Sequence, residues 1–197
     1  MDLPVVELRR YTLVPGRRDE MISIFERELM ESQVATGMWV LGTFRDLDRP
    51  DHFVWLRGFP DMVSRHDSLT EFYSGPVWKR HAPSVRPTMV DTDDVLLLRP
   101  AAAGTGLGPL PLPPPDAEPG AAQIVVRVYP AELADLAPRG EVASFVTEPA
   151  ENTFAGLPVR ADASVYVTLD RSAGRRDYDD RAEIARLAPT ARSPLRG

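Results

Sequence analysis

Val5-Val6-Glu7-Leu8-Arg9-Arg10-Tyr11-Thr12-Leu13, closed by Pro15-Gly16, is the stretch that decides the fold. Val6 and Leu8 alternate with Glu7, Arg9 and Tyr11, a period of two that reads as a strand with one apolar and one polar face. Beyond the Pro-Gly break, Ile22, Phe25, Leu29 and Met30 recur at helical spacing from Arg17 to about Thr36. Asp19 and Glu20 stand where the helix dipole favours carboxylates, and Gly37 stands where helices commonly end. Met38 to Arg45 and Phe53 to Phe59 read as two strands joined by the turn Asp48-Arg49-Pro50-Asp51, a hairpin. Pro60-Asp61 opens a second helix with Asp61 as N-cap and Met62, Leu69, Phe72 and Tyr73 on its apolar side. Gly75-Pro76 interrupts it, Val77 to about Val85 resumes, and Val90 to Leu98 closes the unit as one strand.

The order βαββαβ is that of a ferredoxin-like unit, an antiparallel sheet with both helices on one face. The sheet's other face is apolar and needs a cover, which a second such sheet would supply as a barrel. Between Pro100 and Gly120 lie six further prolines and three glycines, so this stretch cannot form a helix interior or a sheet ladder and is expected to be an extended or mobile connector. It separates a first unit, residues 1–100, from a second, residues 121–197, with the linker at 101–120. The second unit reads as a worn copy. Its strands are Ile124 to Tyr129, Val142 to Thr147 and Ser164 to Leu169, with a short helix at Ala131 to Ala137. Asp177 to Leu187 is a weak helix or the approach to a last short strand, and Pro189 and Pro194 make the tail irregular. The expected fold class is α+β, tandem ferredoxin-like units forming a dimeric α+β barrel-like structure. Closure within one chain, as a pseudo-dimer, and a true homodimer both remain open.

The chain has 197 residues and a net charge of −6, which disfavours a nucleic-acid or anionic-membrane partner, since both are held by clustered Lys and Arg. There are no cysteines, so disulfides, thiolate nucleophiles and Cys-based metal sites are out of reach. No apolar run with a charged leader opens the sequence, and no stretch approaches the ~20 apolar residues a bilayer span needs. The expected location is cytoplasmic.

The first unit resembles the NIPSNAP family of dimeric α+β barrel proteins. The resemblance is carried by Glu7 to Leu13 with Pro15-Gly16, by Phe53-Val54-Trp55-Leu56-Arg57-Gly58-Phe59, by Gly75-Pro76-Val77-Trp78 and by Val95-Leu96-Leu97-Leu98-Arg99-Pro100. It covers about the first half of the chain. Related barrels include cofactor-free oxygenases, cyclases, lactone isomerases and haem proteins, and others have no known catalysis. The resemblance therefore implies a fold more than an activity.

Glu7, Arg9 and Tyr11 share one strand face, as do Trp55 and Arg57. If both faces look toward the helices, they line one pocket. Arg9 and Arg57 suit two-point contact with an oxyanion or carboxylate, Tyr11, Trp55 and Trp78 supply walls, and Glu7 acts as a base or neutralises an Arg. The alternative is a cross-strand ion pair on a solvated sheet edge. His81, one helical turn beyond Trp78, is expected to face the same cavity as a general acid/base or a haem ligand; a surface histidine or a helix-end cap is the alternative. His66 and His52 read as surface residues. No metal site and no cofactor are indicated, and Gly104-Thr105-Gly106-Leu107-Gly108 is no phosphate loop because Pro109 follows in place of a helix. The long connection Thr147 to Phe154 is either a gate or a surface excursion. The leading functional expectation is a small-molecule-binding barrel, with a cofactor-free enzyme on an apolar carbonyl- or phenol-bearing compound as its catalytic form. A non-catalytic assembly protein and a haem protein are the alternatives.

Overall fold

The computed structural model describes residues 2–133, 141–171 and 181–196. In the first half, β1 (Val5–Leu13) leads into α1 (Arg18–Ile24), a π-turn (Phe25–Leu29) and α2 (Met30–Ala35). Then come β2 (Trp39–Asp46), β3 (His52–Phe59), α3 (Met62–Ser74), α4 (Pro76–Val85), β4 (Met89–Asp91) and β5 (Val95–Pro100). The second half supplies β6 (Ile124–Pro130), β7 (Ala143–Thr147), β8 (Val165–Asp170) and β9 (Glu183–Pro189).

Eight of these strands close a ring, in the order β1-β3-β2-β9-β6-β8-β7-β5 and back to β1, with every neighbour antiparallel. Within the first half the order is β5-β1-β3-β2, and within the second it is β9-β6-β8-β7. Both are last-first-third-second, the ferredoxin-like order, and the halves join through equivalent edges, β2 to β9 and β7 to β5. The barrel thus closes inside one chain. Closure also removes the free sheet edges that invite aggregation.

The period of two in β1 survives, but neither face is solvated. Val6 and Leu8 enter the barrel core with Phe44, Leu56, Val126, Phe145 and Val167. Val5, Tyr11 and Leu13 turn outward to the helices with Phe25, Leu29, Phe53, Trp55, Leu69 and Phe72. Glu7 and Arg9 therefore lie beneath helices, which excludes the solvated-edge alternative, while Arg10 points to the other face and pairs with Asp94 and Glu183.

Local signals set most boundaries. Asp61 caps α3, its carboxylate accepting from the Ser64 amide at 2.6 Å. Gly37, at φ +89°, ends α2, with the Met38 amide donating to the Gln33 carbonyl at 3.1 Å. Three differences from expectation have physical causes. The closing strand is split at Thr92–Asp94: β4 pairs with Thr12 and Leu13, where the register shifts, while β5 pairs with Val6 to Arg9. The first helix carries a π-turn, with the Met30 amide donating to the Phe25 carbonyl. The linker, without helix or strand, is bound along the barrel. The leucines between its prolines anchor it, Leu107 in the barrel core and Leu112 against the helical layer, and the Leu3 amide donates to the Leu107 carbonyl at 2.8 Å.

In the second half, a 3-10 turn, Ala131–Leu133, stands where a short helix was expected, and the rest of that segment lies outside the described residues. Of Asp177 to Leu187, the described end forms β9. No described helix is long and apolar enough to cross a membrane.

Candidate functional site

β1 and β3 pair with Glu7 opposite Arg57 and Arg9 opposite Trp55, so these four side chains converge on the helix-facing side. From above, α3 adds Arg65, and all three arginines and Glu7 are 0% exposed. The Glu7 carboxylate is the hub. One oxygen takes Arg9 at 2.6 Å and Arg57 Nε at 2.8 Å, and the other takes Arg65 Nε at 2.6 Å. Burial alone would raise the Glu7 pKa, but the Arg57, Arg9 and Arg65 guanidiniums outweigh it and hold the carboxylate ionised, well below its ordinary range. Three cations face one anion here, so the cluster carries a surplus of buried positive charge.

That surplus reaches the solvent side through a phenol. Arg9 Nε donates to Tyr11 Oη at 2.9 Å. Tyr11 also lines a cleft of about 390 Å³ with Tyr73, Trp78, Arg86, Met89 and Phe154 among its walls. The Arg86 guanidinium stands 5.9 Å from the Trp78 ring centroid at the rim. The rings of Tyr73 and Trp78 meet edge-on at 4.9 Å. Burial raises the Tyr73 pKa, and the Tyr11 phenol adds to this while Arg57 and Arg9 oppose it, so its hydroxyl keeps its proton. Tyr11, Tyr73, Trp78 and Met89 also border an inner cavity of about 30 Å³, which lies against Trp55 and Gln33.

The far wall comes from the other half of the chain. The connection from β7 to β8 folds back over α3, where Asn152 Oδ1 accepts from Arg65 at 3.0 Å and the Thr153 carbonyl sits 2.9 Å from His66 Nδ1. Asn152 Nδ2 donates to the Leu157 carbonyl at 2.9 Å, which fixes the turn that presents Phe154 and Leu157 to the cleft. A larger, more open groove of about 730 Å³ runs along Asp2, Arg99 and residues 100–104, but prolines and alanines make most of its wall and offer little to orient a ligand.

Residues 6–103 match the NIPSNAP family. The first half of the chain is a NIPSNAP domain. No curated protein matches the chain. Among solved structures, a NIPSNAP-like domain protein from Burkholderia xenovorans is 26% identical, over 57% of this chain and 98% of that one, with a TM-score of 0.50. Two bacterial proteins proposed to be monooxygenases match along the whole barrel. The one from Fusobacterium nucleatum covers 100% of this chain and 96% of its own, at 9% identity and a TM-score of 0.57. The one from Lactobacillus acidophilus covers 98% of each chain, at 10% identity and a TM-score of 0.53. At such identities the likeness concerns the fold alone, and it extends past the NIPSNAP domain into the second half.

Within the NIPSNAP domain, the structure brings Glu7, Arg9, Tyr11, Trp55 and Arg57 together, with Trp78 on the cleft wall. It places His81 elsewhere, with Nε2 3.5 Å from Glu28 between α4 and the π-turn, while Tyr73, Trp78 and Arg86 take the cleft side. His52 is half-buried at the barrel end, where burial lowers its pKa and Arg49 adds to the effect. Sequence reasoning missed Arg65, Gln33, Arg86 and Asn152. For Arg65 a signal existed, since Met62, Arg65, Leu69 and Phe72 step along one helical face.

Proposed function

We propose that this protein is a small-molecule-binding α+β barrel whose ligand enters the cleft beside Tyr11, and that the ligand is an apolar, ring-bearing compound with a carbonyl or phenol oxygen. The observation that carries this reading is the hydrogen bond from Arg9 Nε to Tyr11 Oη at the cleft wall. An oxygen that accepts from a guanidinium is left with its own proton to donate, and that proton is polarised by the buried charge behind it. A ligand oxygen placed against Tyr11 meets a fixed donor in a site of low polarity, where such a donor is worth far more than in water. Tyr73, Trp78 and Phe154 supply flat apolar walls.

In this reading Arg9, Arg57 and Arg65 act through Tyr11 rather than by gripping the ligand, and Glu7 anchors them rather than serving as a base. His81 takes no part. Stabilising negative charge on the ligand oxygen favours a phenolate or enolate, which is the chemistry the site would lend to a cofactor-free reaction.

The test is a titration of the protein with naphthol, followed through tryptophan fluorescence. Saturable binding is expected, and Tyr11→Phe should weaken it about tenfold, equivalent to about 1.4 kcal/mol. No saturation, or equal affinity in the variant, would remove the cleft as the binding site.

A further inference from the structure

Two residues in the wall of the inner cavity carry polar groups that no described protein atom satisfies. Trp55 Nε1 and Gln33 Oε1 are both buried, both belong to residues in the cavity wall, and neither has a hydrogen-bond partner. Buried polar groups left unpaired are few in folded proteins, and each calls for an explanation. One of these is a donor and the other an acceptor, so a single group within reach of both, accepting from the indole N–H and donating to the amide oxygen, would satisfy the pair. A hydroxyl does this; a carbonyl or a carboxylate does not. The cavity, at about 30 Å³, has room for a water or one such group.

Two features make the pair a built arrangement. The Trp55 ring lies 5.7 Å from the Arg9 guanidinium and 5.2 Å from that of Arg57, and these cations draw electron density from the indole and sharpen its N–H as a donor. Phe25, Leu29 and Gln33 recur every four residues across the π-turn and its end, and all three line the cavity. The wider π-turn keeps them in one row where a uniform α-helix would let the row drift. The cavity shares Tyr11, Tyr73, Trp78 and Met89 with the outer cleft, so the two adjoin.

We infer that this cavity is a hydroxyl-selecting subsite, and that the natural ligand carries two oxygen functions, one set against Tyr11 and a hydroxyl set between Trp55 Nε1 and Gln33 Oε1. This rests on the cleft reading above, and the experiment separates the two. Affinities of naphthol and of the dihydroxynaphthalene isomers are measured by calorimetry on the wild-type chain and on Trp55→Phe, Gln33→Met and Tyr11→Phe. At least one dihydroxy isomer should bind about tenfold or more tightly than naphthol. Trp55→Phe should bring that ratio to about one. Gln33→Met, which keeps the side-chain length without the amide, should do the same and serves if Trp55→Phe does not fold. Tyr11→Phe should weaken every ligand alike and preserve the ratio. A ratio near one in the wild type, or a preference that survives both inner-cavity variants, overturns the subsite and leaves the cleft standing; the cavity then holds structural water. Failure of every compound to bind overturns both.

Discussion

Replacing Glu7 by Gln removes one negative charge from the centre of three guanidiniums, none of which can reach water. Breaking one buried ion pair by deleting a partner costs about 3–5 kcal/mol, because the other charge stays buried and unpaired. Here three cations lose their counter-ion together, so the loss should reach the upper end of that range. For a chain of this size, a loss of about 5 kcal/mol corresponds to a fall in Tm of roughly 10–20 °C at about 2–4 °C per kcal/mol. Arg65→Met, by contrast, relieves the surplus of positive charge and leaves Glu7 paired to Arg9 and Arg57, so it should cost less than half as much. The two changes also differ with pH. The Glu7 carboxylate is held below its ordinary value of about 4.5, so its stabilisation is complete above that pH and is lost as pH falls toward the folded value, where the unfolded chain binds the proton first. Wild type should therefore lose up to about 1.4 kcal/mol per pH unit more than Glu7→Gln does in this window. Urea unfolding followed by circular dichroism, at neutral pH and in steps below pH 5, measures both effects. A Glu7→Gln cost under about 1 kcal/mol, with an unchanged acid slope, would refute the hub arrangement.

Asn152→Ala removes the acceptor for Arg65 and for the Phe154 amide and the donor to Leu157. It should cost about 1–3 kcal/mol and speed limited proteolysis within residues 148–163, and unchanged cleavage would mean that the connection is held by other contacts. His81→Ala should leave stability within about 0.5 kcal/mol and naphthol affinity within about twofold, because the His81 partner is Glu28 at 3.5 Å; calorimetry and thermal unfolding check both, and a loss of binding would restore His81 to the site.

The first half was legible because period and punctuation agree there. Alternation in β1, the Asp61 cap, Gly37 and Gly75-Pro76 each act locally, so each is written in consecutive residues. The joining of Glu7, Arg9, Tyr11, Trp55 and Arg57 followed from counting by two along strands. What was illegible is long-range or depends on phase. Arg65 was hidden because an arginine on an apolar helical face reads as solvated until its anion is located, and that anion is 58 residues away. Asn152 comes from the opposite half, 87 residues beyond Arg65. The facing of His81 depends on the rotation of α4, a ten-residue helix with Pro83 inside it, and spacing from Trp78 alone does not fix that angle. The linker is free of helix and strand, as its prolines imply, but prolines report only backbone shape, and it is Leu107 and Leu112 that bind it to the barrel.

The sharpest check is the ionisation of 4-nitrophenol bound beside Tyr11, read from its absorbance as pH is varied. Surplus cationic charge behind the phenol should lower the ligand's apparent pKa relative to free solution, and Tyr11→Phe should abolish most of that shift. A bound pKa equal to or above the free value would mean that the arginine cluster is neutralised as seen from the cleft, and the site would have no means of stabilising an oxyanion.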